Sequence, residues 1–267
     1  MLASLRTDLA IARYGYARWA AYPAATLAGM FTNVVFGFLR SYVLLALFAQ
    51  RDHIGAYDST RALTYVWLTQ GFIMTVFIWG WNDLATRIRT GDIAVDLVRP
   101  IHPLRMGLAA DYGRALYHAA FRGIPPFVVG ALFFPLVLPA NAVTWLVFAA
   151  SVVFAIATSY GYRLLYNAAA FWLMESRGPG LAAGLFATLF SGFLVPIAFF
   201  PDWLAAIAHA TPFPSVIQTP VDIFVGAIAG PDIAFALLSQ LAWALATLAA
   251  ASGLFALGTR RLVIQGG

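Results

Sequence analysis

Residues 81–106 read WNDLATRIRTGDIAVDLVRPIHPLRM and form the longest polar run in a chain that is 62% hydrophobic. Apolar segments long enough to cross a bilayer lie on both sides of this run. The spacing of its apolar residues predicts a short helix whose stripe consists of Ile93, Leu97 and Ile101. We expect Asp92, Asp96 and Arg99 of that helix to face water or a partner.

Two interpretations of this run are open. A solvated loop between two membrane helices is the simpler one, and a cytoplasmic docking element is the other. Pro100 and Pro103 end the predicted helix, because proline lacks the N–H and disfavours helical geometry just before it. A polar helix bounded by prolines in an apolar chain favours the docking element.

The overall composition determines the class of the protein. Only 10% of the 267 residues are charged, whereas an ordinary soluble domain has about 25%. The chain is therefore predicted to be an integral membrane protein. It has no cysteine, which excludes disulfides, thiolate metal sites and cysteine nucleophiles.

The first 22 residues predict an amphipathic helix on the cytoplasmic membrane surface. Their apolar residues recur at three- and four-residue spacing and make one helical stripe of Leu2, Leu5, Leu9, Ala12, Tyr16 and Trp19. Arg6 and Arg13 flank the stripe, where their stems can lie beside it. Such a helix lies in the interface rather than crossing the bilayer, and Pro23 marks its end.

The remaining residues, 23–267, are predicted to form a single all-α membrane domain with six transmembrane helices. The predicted spans are 24–49, 62–82, 115–138, 142–173, 180–200 and 232–258, each near the length that a bilayer requires. Pro125, Pro126 and Pro135 predict a kink or break in the third span. A cytoplasmic coupling region at 83–114 separates the second and third spans.

The distribution of arginine predicts that both termini are cytoplasmic. Eleven arginines fall in the segments that would then be inside and only Arg51 and Arg61 outside, as the positive-inside rule requires. The outer segment 201–231 contains two apolar runs too short to span, Trp203–Ala210 and Val221–Ala229, which predict a re-entrant hairpin. Trp203, Phe213 and Phe224 should lie at the membrane interface.

One charge inside the first predicted span is costly. A lone arginine at the depth of Arg40 costs about 2.5–3.5 kcal/mol on insertion scales. Gly29, Asn33 and Arg40 fall on one helical face. Either Arg40 extends to the outer headgroups, or this face is turned inward, where Arg40 meets water, a carbonyl or a ligand; both interpretations are open.

In their order, these features resemble the ABC-2-type transporter permeases. Four motifs carry the resemblance: GDIAVDLVRPIHPL (Gly91–Leu104), SGFLVPIAFFPDWL (Ser191–Leu204), the pair Pro212–Phe213, and RRLVIQGG (Arg260–Gly267). The first motif is similar to a subfamily in which two permeases are often paired with one ATPase. Ala94 departs from that subfamily, which often has an acidic residue there.

The resemblance implies a permease subunit that pairs with a second permease, identical or homologous, and docks on a dimer of cytoplasmic ABC ATPases in a bacterial inner membrane. The chain lacks a G-x-x-x-x-G-K-[ST] motif, so ATP and magnesium would bind the partner and not this chain. An amphiphilic or hydrophobic substrate, such as an antibiotic, a peptide or a lipid, would be exported. The implied ATPase-coupling residues are Arg87, Arg89, Gly91, Asp92, Asp96, Arg99 and Pro100. The outer gate candidates are Pro196, Phe199, Phe200 and Phe213. If the face of Asn33 and Arg40 is turned inward, it would line the interface between the two permeases and the translocation path.

Other classes of function find less support in the sequence. The four histidines are scattered, none lies in an H-E-x-x-H pattern, and Glu175 is the only glutamate. The sequence thus predicts neither a catalytic set nor a metal site. A secondary transporter usually has an internal repeat, which is not seen here. That class and a structural or assembly subunit remain alternatives.

Overall fold

A computed structural model of the chain describes residues 2–80, 82–173 and 177–262. Regular structure within them is helical apart from one isolated antiparallel bridge between Ile54 and Tyr57, which confirms the predicted all-α class. The helices are α1 (Leu2–Ala20), α2 (Pro23–Phe48), α3 (Ser59–Phe72), α4 (Asp83–Thr90), α5 (Ile93–Leu97), α6 (Pro103–His118), α7 (Ile124–Phe133), α8 (Ala142–Ala168), α9 (Arg177–Phe190), α10 (Asp202–His209), α11 (Gln218–Val225) and α12 (Asp232–Thr259). Trp81, Glu175 and residues 263–267 of the closing motif lie outside the described residues.

Three of the described helices are long and apolar enough to cross a membrane. They are α2, α8 with its 3₁₀ continuation (together Ala142–Phe171) and α12, which coincide with the predicted first, fourth and sixth spans. The other predicted spans fall on α3, on α6 with α7, and on α9, which are shorter or interrupted. Six spans therefore stay a prediction.

Two π-helical segments interrupt the predicted spans. One, Ile73–Phe77, follows α3, and the other, Ala119–Gly123, joins α6 to α7. Such segments leave backbone carbonyls that need new donors. The buried amide of Asn33 on α2 supplies them, since its Nδ2 donates to the carbonyls of Gln70 at 3.0 Å and Arg122 at 3.3 Å.

The third predicted span is broken, as its prolines indicate. Pro125 and Pro126 occupy the first turn of α7 directly after the π-helical segment, where a missing N–H costs nothing. Helix α7 ends at Phe133, so Pro135 lies beyond it in extended chain.

Local sequence signals place several helix ends. The Asp58 carboxylate accepts from the N–H of Arg61 at the start of α3. The Asn141 side chain accepts from the N–H of Thr144 at the start of α8. Both are N-caps of the preferred residue types.

Helix α1 packs along α6 through two close backbone approaches. A Cβ at Gly15 would lie 2.1 Å from the carbonyl oxygen of Ala110, and one at Gly113 would lie 1.8 Å from that of Ala12. Only glycine permits such contacts. Leu5 and Leu9 of the predicted apolar stripe are exposed. Helix α1 therefore has an apolar surface that suits the bilayer interface.

Helix α8 is the centre of the molecule. Its described neighbours include α4, α6, α9, α11 and α12, and most of its C-terminal half is buried. Polar groups in its contacts are satisfied: Ser151 donates to the Gln240 side chain of α12 at 2.7 Å. Helix α8 therefore connects α4 and α6 to α11 of the outer segment and to α12.

Candidate functional site

The predicted docking element lies in the coupling region 83–114 and is called the coupling element from here on. It folds as two short helices, α4 and α5, separated by a sharp turn. Gly91 ends α4 with φ = 80°, a left-handed conformation that glycine adopts at little cost. Asp92 follows, exposed, and its Oδ2 accepts from the Thr90 hydroxyl at 2.7 Å. Ile93 is completely buried and anchors α5 to the body of the protein.

The orientation predicted for α5 is wrong at Asp96 and Leu97, whereas Ile93 is buried and Asp92 and Arg99 are exposed as predicted. Asp96 is only 2% exposed and forms ion pairs with Arg87 of α4 and, at 3.6 Å, with Arg99. These two guanidinium groups offset the cost of burying the carboxylate. Leu97, expected in the buried stripe, is 40% exposed.

The exposed face of the coupling element is consequently apolar. Val95 is 57%, Leu97 40% and Val98 83% exposed, and a contiguous apolar patch of this kind is typical of a surface that a partner covers. Arg89 and Pro100 are exposed beside this face, although Arg89 has a partner in the structure. Pro103 follows the end of α5 and is also the first residue of α6, a position that proline favours.

A cleft of about 820 Å³ separates the surface helix α1 from the coupling element. Its floor is formed by α6 and α8. Its rim carries Arg18 from α1 and Arg87 from α4. Arg18 also forms an exposed ion pair with Asp83 at 3.3 Å, which bridges α1 to α4. The cleft therefore has charged edges and a largely apolar interior.

A buried ionic cluster lies at the floor of the cleft. The Asp111 carboxylate on α6 accepts from Arg114 Nε at 2.7 Å and from Arg163 Nη2 at 2.6 Å. All three side chains are at most 5% exposed. Arg114 also donates to the carbonyls of Met74 and, at 3.0 Å, Thr75 in the π-helical segment after α3. The cluster thus joins α3, α6 and α8.

Sequence analysis missed this cluster. It assigned Arg114 to a cytoplasmic segment and did not single out Asp111. The available signal was the i, i+3 spacing of Asp111 and Arg114 together with an arginine inside the fourth predicted span, Arg163. Phe77 closes the cluster with φ = 56°, and its ring lies 4.8 Å from the Arg114 guanidinium carbon and 5.3 Å from that of Arg163.

Arg40 binds backbone carbonyls rather than extending to the membrane surface. Its Nη2 donates to the carbonyls of Phe193 at 2.7 Å and Leu194 at 2.9 Å, just beyond α9. Its Nη1 donates to Thr69 Oγ1 at 3.2 Å. Asn33 lies on the same helix but donates to the carbonyls of Gln70 and Arg122. The structure therefore does not bring the two polar groups to one site.

A third polar group on this side of α2 was missed by sequence analysis. The guanidinium of Arg122 packs against Gly29, where a Cβ would lie 2.2 Å from its central carbon. Gly29 therefore makes room for an arginine of the third predicted span. The translocation path through Asn33 and Arg40 stays a prediction.

The predicted outer gate residues divide between two clusters. Phe199 packs its ring 5.8 Å from Tyr57 and 6.1 Å from Phe48. Phe200 instead packs with the cluster around Ile197. Phe213 contacts both clusters, with its ring 5.5 Å from Tyr162 of α8. Pro196 is buried directly before this region. Phe213 therefore connects the two clusters, and the gating role of all four residues stays a prediction.

The outer hairpin contains two short helices where two short apolar runs were predicted. They are α10 and α11, which overlap Trp203–Ala210 and Val221–Ala229. Trp203 is 65% exposed, as an interfacial residue should be, but Phe224 is 3% exposed and packs on Trp145 and Phe148 of α8. The interfacial assignment of Phe224 is therefore wrong.

A buried polar network fixes α11. The Gln218 side chain, 3% exposed, accepts from Tyr65 at 2.7 Å and donates to Asp222 at 2.8 Å. Tyr57 also donates to Asp222. Burial raises the pKa of the Asp222 carboxyl to about 6, while the hydrogen bonds from Tyr57 and Gln218 act in the opposite direction.

The model of the family described as ABC-2 family transporter protein matches residues 34–266. The chain belongs to this family. No curated protein matches it. As an ABC-2 family member the chain is an integral membrane protein and a transport permease subunit. The match covers the coupling element, the ionic cluster and the outer hairpin, and α1 lies outside it.

Proposed function

We propose that this ABC-2 permease is the membrane half of an exporter and that it docks a separate ATPase across the cleft between α1 and the coupling element. The observation that carries the proposal is the orientation of α5. Asp96 is turned inward to Arg87 and Arg99, so Val95 and Val98 face outward. An exposed apolar patch flanked by exposed charges, here Asp92 and Arg99, is the usual anatomy of a protein interface.

The ionic cluster supplies a route from the docking surface to the spans. Asp111 and Arg114 line the cleft, and Arg114 holds two carbonyls at the end of α3. A partner that closes on α1 and α5 acts on a floor already tied to α3, α6 and α8. ATP-driven closure of the ATPase would then bias the spans between inward- and outward-facing arrangements.

The remaining parts of the proposal rest on sequence and family. The permease has six spans with both termini in the cytoplasm of a bacterial cell, and it pairs with a second permease. The outward-facing side of α2 supports pairing, because it exposes Phe31, Leu39 and Val43. The substrate is amphiphilic or hydrophobic.

The test of docking is a charge placed on the apolar face of α5. Val98→Asp should weaken co-purification of the ATPase with the permease by tenfold or more, because burying an unpaired carboxylate and losing a buried valine together cost over about 1.4 kcal/mol. Gly178→Asp is the matched control. It adds the same charge at an exposed position on the predicted cytoplasmic side, where a Cβ meets nothing within 4 Å.

Folding is checked separately from docking. Both variants should insert and unfold thermally like the wild-type chain, since neither side chain contributes to the core. An ATPase that co-purifies equally well with Val98→Asp and with the control would contradict docking through α5.

A further inference from the structure

A second cavity, of about 220 Å³, lies in the outer segment between α10, α11 and the 3₁₀ turn Ile197–Phe199. Its walls include Phe200, Asp202, His209, Gln218 and Asp222. It is separate from the coupling element and from the carbonyls bound by Arg40. Nothing in the proposed docking or closure uses it.

The Asp222 carboxylate in this cavity is held in one orientation by the protein. Its Oδ1 accepts from the Tyr57 hydroxyl and from Gln218 Nε2. Gln218 is fixed in turn, because its Oε1 accepts from Tyr65 and, at 2.9 Å, from the N–H of Ile197. Among the described residues none donates to Asp222 Oδ2. One oxygen of an oriented carboxylate is thus left for an occupant of the cavity.

The charge around the cavity selects a cation. Among the described residues that line it are two carboxyl groups, those of Asp222 and Asp202, and no arginine. A metal ion does not fit, since the described residues contain no group of three carboxylate or imidazole side chains placed to hold one. An organic cation with N–H donors fits this lining better than a metal ion does.

The geometry of the free oxygen further narrows this cation. A guanidinium binds a carboxylate best through both oxygens, but Asp222 Oδ1 already accepts two bonds. An ammonium is compact and can donate to one oxygen while its other N–H groups reach His209 or Asp202 at the rim. The cavity exceeds the volume of an ammonium group, and its apolar walls at Ile197 and Phe200 suit the first carbons of a chain.

We propose that this cavity binds a primary ammonium group carried by an amphiphilic chain, with Asp222 as its counter-ion. The binding itself does not depend on an ATPase. Where the exporter proposed above is correct, the site names the substrate class as ammonium-bearing amphiphiles. Two sources share this chemistry: a free amine and the headgroup of an aminophospholipid.

The experiment measures octylammonium binding to the full-length chain in phosphatidylcholine nanodiscs without ATPase. Octylammonium should raise the apparent melting temperature in a saturable manner, and octanol should not. Asp222→Asn should weaken octylammonium binding by about tenfold or more, because it removes the charge from a hydrogen bond in a partly buried site. Asp232→Asn, which changes an exposed carboxylate outside the cavity wall, is the matched control.

A second variant guards against disturbance of the polar network. Ala205 lies in the cavity wall and makes no side-chain hydrogen bond, so Ala205→Leu should fill the cavity and abolish binding while the network stays intact. If octanol acts as well as octylammonium, or if both Asp222→Asn and Ala205→Leu bind like the wild type, the proposal is wrong.

The source of the ammonium group is decided by changing the lipid. Replacing half of the phosphatidylcholine by phosphatidylethanolamine should weaken octylammonium binding if the headgroup competes for the cavity. Unchanged affinity would show that the site selects the free amphiphile. Either result supports an ammonium site. If the protein binds octylammonium but does not export it, the proposed transport function is wrong and the binding site is not.

Discussion

The guanidinium of Arg40 donates to the backbone carbonyl of Phe193 at 2.7 Å, across 153 positions of sequence. It also binds the next carbonyl, that of Leu194, at 2.9 Å. These contacts join α2 to the chain that leaves α9 for the outer hairpin. An arginine that is costly to insert therefore serves as the donor for two carbonyls that lie outside any helix.

Replacing Arg40 by leucine should destabilise the folded protein. Two charge-assisted hydrogen bonds contribute about 1.5–3 kcal/mol each, so a loss of at least about 3 kcal/mol in the free energy of unfolding is expected. In the separated helix, leucine also removes the insertion penalty of the arginine. This stabilises the unfolded reference state and therefore adds to the destabilisation. Unfolding in mixed micelles measures the change.

Arg40→Lys provides the matched control for charge. One ammonium can bind one of the carbonyls of Phe193 and Leu194 but not span both and Thr69, so it should recover about half of the loss. A leucine variant as stable as the wild type would instead support an arginine that extends to the headgroups.

Replacing Asp111 by asparagine should be more damaging than replacing any exposed acid. The change leaves Arg114 and Arg163 buried without their counter-ion, which costs about 3–5 kcal/mol. The control is Asp83→Asn, which removes an exposed ion pair with Arg18 and should cost at most about 1 kcal/mol. Comparable melting temperatures for the two variants would show that the cluster is not buried in the membrane-bound protein.

A feature of this protein could be predicted from the sequence when many residues determine it. Helices α2, α8 and α12 lie close to their predicted bounds because about 20 apolar residues contribute to each. The orientation of α5 was wrong because a five-residue helix has too few residues for a reliable stripe. There, a single ion pair between Asp96 and Arg87 of the preceding helix decides which face is buried.

Long-range polar partners could not be predicted for a related reason. Arg163 lies 52 positions from Asp111 and Asp222 lies 165 from Tyr57, and no local pattern indicates such pairs. The sequence showed that Arg40 needed a partner because a charge in a span is expensive. It did not show that the partners would be the carbonyls beyond α9.

The outer segment should become less stable as the pH rises through about 6. Burial raises the pKa of Asp222 to about 6 from an ordinary 3.8, so the protonated form is favoured in the folded state. The resulting stability is fully present below pH 3.8, falls as the pH rises, and is gone above the folded pKa. Between pH 5 and pH 7.5 the expected loss is about 1 kcal/mol.

Asp222→Asn isolates this effect from other titrations nearby. Tyr57 donates to the same carboxylate, while Asp202 and His209 line the cavity beside it. The asparagine variant should lose about 1 kcal/mol of the difference in unfolding free energy between pH 5 and pH 7.5. An unchanged pH dependence in the variant would show that Asp222 is ionised throughout this range.

The membrane orientation can be tested by single cysteines, because the natural chain has none. The excess of arginine on one side predicts that the coupling element is cytoplasmic and that the hairpin of α10 and α11 is outside. Ala229→Cys should react with a membrane-impermeant thiol reagent on intact cells, and Thr90→Cys only after permeabilisation. Both positions are exposed in the structure, so a failure to react reflects the side of the membrane and not burial. The opposite labelling pattern would move the docking face of Val95 and Val98 away from any cytoplasmic ATPase. It would also place the Asp222 cavity on the side from which an exported substrate enters.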